Sequence, residues 1–285
     1  MLDVGLIGVG LVGSALAERF VRGGWRLIGY DRRPESMQAL TSLGGTAVES
    51  ARAVAEIVPY IVLCLPDSDA VEEVVHEIED VSAGRMIVDT TTGDPERTAR
   101  LGARLKAANI DYVDATIAGS SRQARDGDVI VMAGGEAEAV ASCERLFREF
   151  ASQWFHVGPW GSGARMKLVF NLVLGLNRAV LAEGLSLARA SGLDVEVALA
   201  ILQEGVAYSE VMDTKGPKMI AGDFTAEARL SQHHKDVRLI LEAGVRAGID
   251  LPLSRTHERL LASVEEQGLG EADNSAIIRA FGRGS

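Results

Sequence analysis

The stretch VGLIGVGLVGS, residues 4–14, limits what this chain can fold into more than any other. A β-branched run, Val4–Ile7, leads straight into Gly8-x-Gly10-x-x-Gly13, and an amphipathic stretch over 12–22 follows. Each glycine has a physical task. Gly8 makes the tight turn, Gly10 lets a pyrophosphate approach the backbone, and Gly13 lets the helix pack on the strand. The helix start, with Leu11 and Val12 in its first turn, then offers free N–H groups and a positive dipole end to phosphates. In a chain with 31 glycines the triplet alone is weak. Its strength comes from context: the strand before, the helix after, and Asp31 at the end of the next strand, eighteen residues beyond Gly13. A carboxylate there accepts both hydroxyls of an adenosine ribose and repels a 2′-phosphate, which favours NAD. Arg32 and Arg33 keep NADP open, because an arginine beside the carboxylate can hold that phosphate; otherwise both are solvated residues at a helix start.

The same alternation continues. Leu27–Tyr30, Tyr60–Leu65, Met86–Asp89, Tyr112–Asp114 and Val129–Ala133 have strand length and apolar character, and helical patterns at 69–80, 95–108 and 136–150 lie between several of them. This order predicts a parallel sheet covered on both faces. After Gly163 the pattern is helical throughout, with stretches at 164–191, 194–204, 209–221, 232–247 and 255–265. The expected architecture is a Rossmann-like α/β domain over 1–162 and an all-helical substrate and oligomerisation domain over 163–285, joined by one long interdomain helix. A composition of 47% hydrophobic and 24% charged residues suits a soluble globular chain. A net charge of −11 argues against nucleic acid or an anionic membrane as partner. The two cysteines, Cys64 and Cys143, form neither a metal nor a redox spacing, no metal site is expected, and the N-terminus has no basic region before an apolar stretch. A cytoplasmic location is the expectation.

One feature of the helical half stands out. From Leu168 to Asn177 no residue is charged, so this segment reads as buried. Yet Lys167 precedes it, and Asn171 follows four residues later on the same helix face. Taken alone, the lysine reads first as a side chain snorkelling to water. A partly buried lysine also suits proton transfer near neutral pH, because burial lowers its pKa.

Three further stretches bring in a resemblance. GPWGSGARMKLVFN at 158–171 fits G-x-x-G-x-G-x-x-x-K-x-x-x-N, DATIAGSSRQARDG at 114–127 is similar to D-A-P-V-S-G-G-x-x-x-A-x-x-G, and HKDVRL at 234–239 resembles K-D-x-x-L. With the glycine turn, the full length resembles the β-hydroxyacid dehydrogenases, which include 3-hydroxyisobutyrate dehydrogenase and the tartronate, glyoxylate and succinic semialdehyde reductases. The resemblance implies an NAD(P)-dependent oxidoreductase, a homodimer or homotetramer, that interconverts a short β-hydroxy acid and its semialdehyde. It makes Lys167 the general acid/base and has Asn171 bind and orient the substrate oxygen. Leu65, Pro66, Thr91 and Lys235 are placed at the cofactor, and Ala118, Gly119 and Ser120 at the substrate carboxylate.

The substrate loop departs from the pattern. Thr116 stands where proline is usual, Ala118 where a serine hydroxyl is usual, and Ser120 where glycine is usual. Ser120 or Ser121 is a candidate to restore the lost donor, and Arg122 to grip an anion or stand in solvent. Of His233 and His234, adjacent on a helix, at most one is expected to face the site. Two other readings follow: a cofactor-binding redox sensor without turnover, and an imine-reductase-like enzyme. Lys167 argues against the second, because imine reductases usually replace it.

Overall fold

Runs of β-branched residues become strands buried on both faces, and their alternation assigns each side chain to one face. Val62, Val88 and Val113 belong to one core with Leu16, Phe20 and Phe150. Ile61, Ile87 and Tyr112, one residue away in each strand, belong to the other with Val54, Val75 and Leu101. The computed structural model describes residues 2–282. Eight strands are formed: β1 Asp3–Ile7, β2 Arg26–Tyr30, β3 Thr46–Ala47, β4 Tyr60–Leu63, β5 Met86–Asp89, β6 Asp111–Ala118, β7 Val129–Gly134 and β8 Ala151–Gly158. Their order is β3-β2-β1-β4-β5-β6-β7-β8. The first six are parallel, and β7 pairs antiparallel with β6 and parallel with β8. The order 3-2-1-4-5-6 is that of dinucleotide-binding sheets, whose ligands lie beyond the carboxyl ends of the strands.

Sequence periodicity misses β3 and β8. β3 has two residues, and β8 closes one edge of the sheet with most of its side chains exposed or half-exposed, so it has no apolar run. The segment expected as one helix over 136–150 forms two, Ala137–Ser142 and Glu144–Phe147. Short helices at Pro34–Ser42, Ala51–Ile57 and Ser121–Asp126 were likewise not marked by a strong period.

The chain divides into two compact units, Met1–Lys167 and Leu168–Ser285, and the division falls inside the 29-residue helix Ser162–Ala190. That helix is long and apolar enough to span a bilayer. Its Leu181, Ala182 and Leu185, however, are buried in the core of the second unit. That unit continues with helices Val195–Glu204, Val211–Ala221, Leu230–Ala247 and Pro252–Val264. Asp194 caps the first of these by accepting from the Glu196 and Val197 N–H groups at 2.8 and 3.1 Å. Gly222 and Gly248 end two others in the left-handed conformation that glycine supplies most easily.

Candidate active site

In the first unit, the predicted cofactor residues lie at the carboxyl ends of the parallel strands. Gly8 has φ +97°, and a Cβ on it would run into the Cys64 carbonyl; one on Gly13 would run into the Gly8 carbonyl. Turn and helix are therefore in direct backbone contact. Gly10 is different: the nearest atom to its would-be Cβ is Arg33 Nη2, at 3.9 Å, so this position is open to an approaching ligand. The helix Leu11–Arg22 starts here.

Asp31, just past β2, ties itself to this turn. Its Oδ2 accepts the Val9 N–H at 2.7 Å, and its Oδ1 accepts Arg33 N–H at 2.9 Å and Arg33 Nε at 3.2 Å. Burial raises the carboxyl, but the bonds from Arg33 and Val9 outweigh it and hold Asp31 below its ordinary value. Arg33, not Arg32, is the arginine paired with Asp31; Arg32 is exposed. At the ends of β4 and β5, Leu65 donates its N–H to Thr91 Oγ1 at 3.1 Å, and exposed Pro66 follows. Thr91 is fixed in turn by its N–H to Asp89 Oδ1 at 2.9 Å, and Tyr112 donates to Asp89 Oδ2 at 2.8 Å. Open backbone at Gly10, a helix start and a carboxylate held ready at the second strand fit a dinucleotide.

β6 does two things at and just beyond the point where its pairing with β5 ends. Asp114 accepts the Gly161 N–H on Oδ1 and the Ala164 N–H on Oδ2, each at 3.0 Å, and so caps the helix that carries Lys167. Burial pushes its carboxyl up to about 7 against those two donors. Thr116 donates to the Gly163 carbonyl at 2.9 Å, a bond that proline could not make. Gly163 has no room for a side chain, because a Cβ would lie 2.5 Å from the carbonyls of Asp114 and Met132. The glycine-rich approach to the lysine is thus a close backbone contact with β6 at Asp114 and β7 at Met132. Asp114 and Thr116 were seen in the sequence only as motif letters; their partners stand 47 residues away or more.

Beyond Ala118, which is buried, Gly119 has φ +145° and its would-be Cβ meets Val129 Cγ1 at 2.6 Å. Ser120 keeps an ordinary negative φ, so its Cβ does not distort the loop. It caps the helix Ser121–Asp126: its Oγ accepts the Gln123 N–H, and its N–H donates to Gln123 Oε1 at 2.9 Å. The loop therefore spends the Ser120 N–H internally, and the hydroxyl proton is what Ser120 has left to donate. Arg122 is exposed.

Lys167 is 8% exposed, and Asn171, one turn on, is 5% exposed. Within the second unit Asn171 Nδ2 donates to Asp236 Oδ2 at 2.9 Å, and Lys235 Nζ lies 3.1 Å from Asp236 Oδ1. Asp236 thus holds both residues, and fixing the Asn171 amide by its nitrogen turns its carbonyl the other way. In the sequence nothing marks Asp236 beyond its letter in K-D-x-x-L. His233 and His234 are both buried. The His233 ring packs 5.2 Å from that of His257, and both nitrogens of His234 meet carboxylates, of Glu265 and Glu258. His234 is thus a structural clasp.

Sheet order, glycine turn and Asp31 together define a dinucleotide-binding oxidoreductase fold. The family described as the NAD binding domain of 6-phosphogluconate dehydrogenase matches residues 3–158, and the one described as NAD-binding of NADP-dependent 3-hydroxyisobutyrate dehydrogenase matches residues 161–281. The chain belongs to the β-hydroxyacid dehydrogenase family. It is 30% identical to 2-(hydroxymethyl)glutarate dehydrogenase of Eubacterium barkeri over 98% of this chain and 95% of that one. It is 29% identical to 2-hydroxy-3-oxopropionate reductase of Escherichia coli over 98% and 97%. The structure of 3-hydroxyisobutyrate dehydrogenase from Salmonella typhimurium superposes with a TM-score of 0.91 at 25% identity, covering 98% of this chain and 99% of that one.

Proposed function

We propose that this protein is an NAD(P)-dependent dehydrogenase that interconverts a short β-hydroxy acid and its semialdehyde, with Lys167 as the general acid/base. The observation that carries this reading is the anchoring of the Lys167 helix. Asp114, Thr116 and Gly163 bind its first turn to β6 where that strand's pairing with β5 ends, in the sheet whose strand ends carry the residues read as cofactor-binding. Gly8, Gly10, Gly13 and Asp31 would hold a nicotinamide dinucleotide, which would supply hydride exchange with the substrate carbon. Lys167 then takes the hydroxyl proton in oxidation, or returns it to the carbonyl oxygen in reduction. Asn171, held by Asp236 through one amide hydrogen, has a second N–H with which to bind and orient the substrate oxygen. Ala118, Gly119 and Ser120 line the carboxylate end, where Ala118 removes one hydroxyl and Ser120 offers its own. Asp31 favours NAD, and Arg33 is the residue through which NADP would be accepted.

The names of the relatives support a small hydroxy-acid or semialdehyde substrate. A homo-oligomer is part of the same proposal. Val169, Val173, Val180 and Leu187 lie along one stripe of the long helix, and each is more than half exposed. Apolar stripes of this kind mark interaction surfaces. The test is NADH and NADPH oxidation against small semialdehydes and 2-oxo acids. Turnover with a β-semialdehyde supports the reading; tight cofactor binding without turnover on any of them favours the sensor.

A further inference from the structure

A buried cation in the helical unit is left short of hydrogen-bond partners. Arg178, on the long helix, is 3% exposed, and neither its Nε nor its Nη1 meets a hydrogen-bond partner among the described residues. Asp273 is the carboxylate whose field bears on it. That carboxylate is already committed. Its Oδ1 accepts Lys215 Nζ at 2.9 Å and the Ser275 N–H at 3.1 Å, and its Oδ2 accepts Lys215 Nζ at 2.9 Å and the N–H groups of Glu227 and Ala228 at 3.0 and 3.2 Å. Glu227 stands 3.7 Å from Lys215 and 3.8 Å from Lys218. Asp223 is a further carboxylate whose field reaches Lys218, so the two lysines are served by carboxylates, and Arg178 is the cation whose Nε and Nη1 meet none among the described residues.

His257, whose ring feels the Arg178 charge, and the two residues that follow Asp273 in the chain are short of partners too. Ser275 Oγ, Asn274 Oδ1 and His257 Nε2 are buried without a hydrogen bond among the described residues. Burial pushes His257 down to about 4, so its ring is neutral at physiological pH and adds no charge, yet Nε2 can carry the proton of a neutral tautomer. A guanidinium does not shed its charge in a protein as a lysine can. Burying it unpaired is strongly unfavourable, and a water molecule supplies a hydrogen bond but no counter-charge.

We propose that the helical unit binds a small inorganic anion of the halide class at Arg178, with the Ser275 hydroxyl and the His257 Nε2–H as additional donors. The anion neutralises the guanidinium and takes the donors that Asp273 cannot. The site is distinct from the proposed catalytic residues, and its existence does not depend on the substrate.

The test is thermal unfolding of the full chain at constant ionic strength, with bromide replacing fluoride step by step. Fluoride, the more strongly hydrated ion, is the better general stabiliser, so non-specific salt effects would lower Tm as bromide replaces it. A filling site instead raises Tm by about 2–5 °C for each tenfold rise in bromide, by mass action and the usual Tm response of a chain this size. That rise is absent in Arg178→Met, which keeps most of the side-chain volume without the charge. Crystals soaked in bromide show an anomalous peak beside Arg178. A wild-type Tm that does not rise with bromide, together with no anomalous peak, overturns the proposal and leaves Arg178 served by water alone. Both wild-type measurements decide the matter even where Arg178→Met fails to fold.

Discussion

Asp114→Asn tests how the lysine-bearing helix is held. In the folded protein burial pushes the Asp114 carboxyl up to about 7, from an ordinary value of 3.8. Between those two values the folded state binds more protons than the unfolded chain, so its contribution to stability falls as pH rises. Below about pH 4 both states are protonated and the group contributes nothing through ionisation. Above about pH 7 both are ionised, and the full cost of the shift, about 4 kcal/mol at 1.36 kcal/mol per unit, is present. Asparagine cannot ionise and keeps one of the two acceptors, so near pH 4 the variant should lie within about 1–3 kcal/mol of wild type. Urea denaturation from about pH 4 to pH 8, followed by tryptophan fluorescence, gives the difference at each pH. The variant should gain on wild type steadily with pH, by about 4 kcal/mol in total. A gap that widens in favour of wild type as pH rises would refute this reasoning. It would mean that the Gly161 and Ala164 donors and the helix N-terminus stabilise the carboxylate as an anion more than burial opposes it.

Three other predictions concern particular contacts. Gly13→Ala drives a methyl group into the Gly8 carbonyl; it should cost about 1–3 kcal/mol in denaturant titrations and weaken NADH binding. Wild-type stability together with wild-type affinity would contradict the close contact. Asp31→Ser removes charge-assisted acceptors for the ribose hydroxyls; NADH affinity should drop by about 1.5–3 kcal/mol while NADPH is unchanged or improved. Equal losses for the two cofactors would count against the assignment of Asp31. Lys215→Met leaves Asp273 buried without its cation and should cost about 3–5 kcal/mol by urea denaturation; a loss below about 1 kcal/mol would show that the backbone donors suffice.

The halves of this fold were legible because each obeys one period: strand-length apolar runs up to β7, and helical repeats after Gly163. The glycine turn was legible because three glycines, a strand and an acid at one spacing have a single common physical explanation. β8 was not, because an edge strand with exposed side chains has no apolar face to announce it. The capping of the long helix by Asp114 was hidden for another reason: its partners are brought close only by the fold. Ser120 shows the limit of matching letters, since its N–H and its hydroxyl acceptor cap a short helix. Arg178 follows directly after an uncharged run, and nothing in that pattern marks it as buried; the structure buries it.

The chemistry proposed here depends on Lys167 moving the proton. The most direct measurement is steady-state turnover of Lys167→Met beside wild type on the substrate with the highest wild-type turnover, with NADH or NADPH affinity measured separately by fluorescence. Turnover should fall by about 10²–10⁴-fold, the usual cost of removing an acid/base group, while cofactor affinity stays near the wild-type value. Turnover that survives the substitution unchanged would contradict the account, and the buried lysine would then be a structural residue of its helix.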